Sequence, residues 1–141
     1  TAIDLVSENE HYFIAKKSFF NNKKLMNTNI KNNWSYNDLS RAKFISLDTL
    51  KSKTIKWENK SIALIENEWK YDSTIDFAIL NIKALENSAI ENEKLPFFII
   101  SNSRGNKIYK KQNFDFLKAK NLLHELENDG AFIYEFNSKS L

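Results

Sequence analysis

The sequence predicts an α+β fold: a ferredoxin-like βαββαβ core over about residues 60–137, with an N-terminal helix and two extra strands packed on it. Three observations lead there. Short apolar runs of strand length, SIALIE (61–66), PFFII (96–100) and AFIYEF (131–136), are separated by stretches with helical spacing. The turn cluster SNSRGN (101–106) sits midway, where such a core needs its central hairpin. Hydrophobic residues make up 42% and aromatics 13% of 141 residues, ample material for one core.

At the N-terminus, Val6, Phe13 and Phe20 recur at seven-residue steps, as do Leu5, Tyr12 and Phe19. That spacing predicts a helix over about 2–20, although the polar SENEH interrupts it and YFIA also reads as the start of a strand. AKFISL (42–47) and KTIKW (53–57) predict the two extra strands. SIALIE opens the core as a buried strand. Residues 73–94 predict a long helix, with Ser73 and Asp76 as a capping box and Ile75, Ile79, Ile82, Leu85 and Ala89 in one stripe. Phe77, Leu80 and Ala84 fall on its opposite side, so both faces of this helix touch something.

Pro96 ends that helix, and residues 96–100 form the next strand. SNSRGN turns the chain with Gly105 at a positive φ, and KIYKK (107–111) continues as its hairpin partner. Asn113 or Asp115 caps a helix over about 114–128, Gly130 closes it, and 131–136 is the last strand. In that strand Phe132, Tyr134 and Phe136 take one face and Ile133 the other, so the sheet is apolar on both faces. The N-terminal segment 1–57 is expected to cover the face that the two helices leave bare, making 1–141 a single domain with its core in 58–141. The rival arrangement is one in which 1–57 supplies strands to the main sheet.

Composition limits the chemistry. Lys and Asn at 19 each and Ile at 15, against 2 Arg and 2 Gly, indicate an AT-rich coding bias. With only Gly105 and Gly130, neither of the usual glycine-rich phosphate loops can be written, and no nucleotide cofactor is expected. The chain has no cysteine, hence no disulfide or thiolate chemistry. His11 and His124 each lack a second histidine at ligand spacing, so HELEND (124–129) reads as a solvated helix end and no metal site is expected. No apolar run approaches the roughly 18 residues of a membrane span. A cytoplasmic location is favoured, while a start at Thr1 is compatible with a trimmed leader or anchor.

Three functional readings remain. The favoured one is a small non-catalytic protein-interaction module, of the immunity or accessory kind, that meets a protein partner or a second copy through Phe77, Leu80 and Ala84. The alternative is nucleic-acid binding. Residues 16–60 hold 11 Lys and Arg against 3 Asp and Glu, interleaved with aromatics. Lys16, Lys17, Lys23, Lys24, Trp34, Tyr36, Arg41 and Lys43 carry that reading, joined by Lys107, Tyr109 and Lys111 on one face of the 107–111 strand. The third is a metal-dependent hydrolase using Asp72 and Asp76, four apart at a predicted helix start, where the helix dipole alone also favours acids.

Overall fold

Strands, not a helix, begin the chain. The computed structural model describes residues 2–7, 11–27, 31, 42–46, 54–91, 94–102, 111–129 and 132–134, and the chain forms two compact units, Thr1–Ser52 and Lys53–Leu141. In the first unit β1 (Ala2–Val6) pairs antiparallel with β2 (His11–Ala15), Val6 opposite His11 and Ala2 opposite Ala15. The expected helix over 2–20 is therefore a hairpin followed by α1 (Lys17–Phe20). The polar SENEH wins over the seven-residue spacing, because Ile3, Val6, Tyr12 and Ile14 are residues that favour a pleated, half-buried surface. After α2 (Lys23–Leu25), β3 (Lys43–Ser46) lies parallel to β2 and completes a sheet ordered β1-β2-β3. Phe13, Ala15, Met26 and Ala42 form this unit's core, with Phe19 packed on it. On the same face the buried His11 ring lies 2.6 Å from the Asp4 carboxylate, which gives that polar side chain a partner inside the hairpin.

The second unit is built on a five-stranded sheet ordered β4-β5-β6-β7-β8. Its strands are β4 (Thr54–Trp57), β5 (Lys60–Leu64), β6 (Phe77–Leu80), β7 (Phe97–Ile100) and β8 (Leu123–Glu125). The β4–β5 pair is an antiparallel hairpin, and every later pair is parallel. The α+β class holds. The ferredoxin-like arrangement does not, because β7 has β6 on one edge and β8 on the other and offers no edge to a following hairpin strand. The 107–111 strand expected there lies outside the described residues except for Lys111, which immediately precedes a helix. Thr54–Trp57 joins this main sheet, as the rival arrangement anticipated.

The long helix expected over 73–94 is replaced by β6 and the short α3 (Ile82–Glu86). Phe77–Leu80 are all buried, and a strand covered on both faces reads as an unbroken apolar run that also satisfies helical steps of three and four. Asn81 then starts α3, its side-chain oxygen accepting the Ala84 N–H at 2.8 Å. The helix expected over 114–128 is likewise shorter: α4 spans Gln112–Ala119, and after β8 comes α5 (Leu126–Asp129). What ends α4 is Asn121 rather than Gly130. At φ 57° Asn121 donates to the Lys118 carbonyl while Leu122 donates to Leu117, the paired bonds of a Schellman stop. The described part of the expected last strand, 132–134, is not one of the five strands.

Each parallel step moves to the next neighbour in the same direction, so right-handed crossovers place the described parts of the connections on one face. The packing agrees. Ala63, Ala78, Leu80, Phe98 and Ile100 face a core completed by Trp69 and Ile75 from the β5–β6 connection, Ile82 and Leu85 from α3, and Phe114 and Leu117 from α4. The two helices cap each other. The Glu86 carboxylate accepts the Asn113 N–H at 3.0 Å, while the Asn113 side-chain amide donates to the carbonyls of Leu85 at 2.8 Å and Ser88 at 2.7 Å. Ser88 adds a third link: its hydroxyl accepts the Trp69 N–H at 2.6 Å and donates to the Ala84 carbonyl at 2.7 Å. Asn113→Ala is expected to destabilise this unit by about 1–3 kcal/mol in urea unfolding, because it strips helix-end carbonyls of their donor. The exposed Asn87→Ala should stay within about 0.5 kcal/mol.

Candidate functional site

The sheet face turned away from the helices carries an aromatic cluster. Strand register places Ile55, Ile62, Phe77 and Phe97 in one row there, and Leu64, Ile79, Ile99 and His124 in the next. Across it lies the segment 132–134. Phe132 stacks on Phe97 at 5.1 Å and 19°, and also meets Phe77 at 5.7 Å and His124 at 5.3 Å. The Tyr134 ring meets Phe77 at 4.9 Å, with the Lys60 ammonium 5.9 Å from its centroid. Ile133, between the two inward rings, is 78% exposed, and Tyr134 keeps 46% of its surface. Within this unit, then, the chain's own C-terminal segment lies on the face that residues 1–57 were expected to cover.

Phe77, Leu80 and Ala84 are not brought together on a helix face. Phe77 and Leu80 point to opposite sides of β6, and Ala84 belongs to α3. All three are buried, Leu80 and Ala84 in the helix-side core. Of this trio, Phe77 alone lies in the aromatic cluster. Phe97, Phe132, Tyr134 and Lys60 were missed by sequence reasoning. The available signal was the alternation of Phe132 and Tyr134 around Ile133, which looks the same in a strand and in an extended cover.

The basic residues divide between the units. Lys16, Lys17, Lys23 and Lys24 are all exposed around α1 and α2, and Lys43 on β3 lies 5.7 Å from the Tyr12 ring centroid. Lys111, in the second unit, is exposed 5.5 Å from the Phe114 ring. Trp34, Tyr36, Arg41, Lys107 and Tyr109 lie outside the described residues.

The acids serve the fold. Asp72 and Asp76 belong to the β5–β6 connection, not to a helix start. One Asp76 oxygen accepts the Ser61 N–H at 2.8 Å. The Asp72 carboxylate accepts both the hydroxyl and the N–H of Thr74, at 2.6 and 2.9 Å, and these bonds, the hydroxyl foremost, hold its pKa below the ordinary carboxylate value. Glu125, buried at the end of β8, accepts from the Asn128 amide at 2.8 Å. Among the described residues no three His, Asp or Glu side chains are grouped to hold a metal ion, and no helix is long and apolar enough to cross a membrane.

The carboxyl edge of the parallel strands is where open α/β sheets bind small ligands, at a point where successive connections leave in opposite directions. Here β5 to β8 follow one direction throughout. Between β6 and β7 that edge is stitched shut: Ser101 N–H donates to the Leu80 carbonyl and Ile82 N–H to the Asn102 carbonyl. An open hollow of about 300 Å³ lies after β5, lined by Leu64, Ile65, Glu66, Asn67, Glu68 and Lys70. Lys70 stands 4.0 Å from Glu68, both side chains exposed, so this pair lies open to solvent.

No family model, curated protein or solved structure matches this chain.

The Thr74 bonds make a pH-dependent prediction. A carboxylate with a lowered folded pKa contributes stability that is complete above its ordinary value and is lost as pH falls through the lower folded value. Followed by carboxyl NMR, Asp72 should titrate below the ordinary carboxylate value, and Thr74→Val should move it back towards that value. An unchanged titration in Thr74→Val would assign the shift to another cause.

Proposed function

We propose that the protein is a small non-catalytic interaction module, which binds another protein at the sheet face turned away from its helices. The observation that carries this reading is Ile133, 78% exposed beside the 46% exposed Tyr134, on a segment whose Phe132 and Tyr134 rings lie on an aromatic cluster. Contact surfaces between proteins favour aromatic anchors inside a polar rim, and gain from side chains already held in place. Lys60 supplies a charge next to Tyr134, so the matching partner surface is apolar at its centre and carries an acid opposite Lys60.

A second reading has one observation in its favour. The exposed Lys16, Lys17, Lys23 and Lys24 lie within a single short helical stretch of the first unit, and such a cluster neutralises phosphates.

One experiment separates the two. A photo-crosslinking residue is placed at position 133 of the full chain, and in a control at Lys118, exposed on α4. The protein-binding reading expects, in extract of the producing cell, a discrete protein adduct from position 133, none from position 118, and no change after nuclease treatment. Equal adducts from both positions, or adducts that nuclease abolishes, would contradict it. The second outcome would favour the lysines.

A further inference from the structure

We infer that the aromatic sheet face holding Phe132 and Tyr134 is a receptor for an extended aromatic-x-aromatic segment of a partner protein, and that the chain's own residues 132–134 cover it until the partner arrives. This rests on the protein-interaction reading above and adds what the partner presents. The occupant in place shows what fits. One ring stacks flat on Phe97 and touches Phe77 and His124, the next stands edge-on to Phe77 under Lys60, and the side chain between them faces outwards. An extended peptide presents alternate side chains in just this way, and pockets for alternate residues are how sheets select such peptides.

The segment stands outside both the strand ladder and the helix-side core. Residues 132–134 are not one of the five strands, so lifting them leaves the β4–β8 ladder whole. They contribute nothing to the helix-side cluster, so the main core stays packed. A face covered from within binds an outside segment more weakly, in proportion to the fraction of time it stands open. Weakening the internal occupant must therefore strengthen the external one.

The test uses a fluorescently labelled peptide of the chain's own sequence AFIYEF, with a control in which both inward aromatics are alanine. Binding to the full chain is followed by anisotropy. Tyr134→Ala removes the ring contact with Phe77 and is expected to bind the native peptide about threefold to tenfold more tightly than the parent chain does, the range one aromatic pair spans. Tyr134→Leu, which keeps apolar bulk, is the second variant and should fall between the two. Equal affinity for parent and variants, or no preference over the control peptide, would overturn the proposal. A nuclease-resistant adduct at position 133 with a peptide that fails to bind would end this proposal alone and leave the interaction reading standing.

Discussion

The second unit depends on one constraint: β6 and β7 are apolar on both faces and must be covered on both sides. Phe77 to Leu80 are buried without exception, as are Phe98 to Ile100. Fully burying a side chain of that size stabilises by about 1.5–3 kcal/mol, and leaving a whole row of them wet would forfeit that and promote aggregation. Parallel strands taken in chain order put right-handed connections on the same side, and among the described residues their helices and loops pack on one face. The second face needs a separate solution, and Phe132 and Tyr134 are part of it. A cover of rings lying on rings is structurally different from the interlocked helix side.

That helix side is fixed by side-chain amides and hydroxyls where other chains use glycine. Asn81 starts α3, Asn113 closes its far end while Glu86 caps α4, and Asn121 takes the left-handed position that ends α4. Asparagine tolerates that conformation better than other non-glycine residues, since its short amide bonds locally. Abundant asparagine is thus put to structural use. Glu58, at φ 55° in the β4–β5 turn, lacks that local compensation and sits where glycine would be easier.

What was legible in the sequence follows from the same physics. The α+β class and the strands at 43–46, 54–57, 60–64 and 97–100 can be read from apolar runs bounded by polar ones. The β6 strand cannot, because FAILNIKAL satisfies a buried strand and a helix equally well, and a wrong choice there changes the sheet order. The end of α4 was hidden because it depends on Asn121 while Gly130 offered a louder signal. At the candidate site Phe77 was singled out for the wrong reason, as a helix-face residue. Its partners Phe97, Phe132 and Tyr134 are separated from it by 20 to 57 positions, and no local pattern links them.

The proposed function rests on which face is left to side chains instead of helices. The acids and the strand ends are engaged in holding the fold, while exposed apolar surface accompanies the aromatic segment. The account stands or falls on that segment lying on the sheet in the free chain. The most direct measurement is a NOESY spectrum with Phe, Tyr and Trp rings selectively protonated. Cross-peaks between Phe132 and Phe97 and between Tyr134 and Phe77 are predicted, alongside Trp69 to Phe98 as the helix-side reference at 5.8 Å. A spectrum with the Trp69–Phe98 contact present and the other two missing would contradict it.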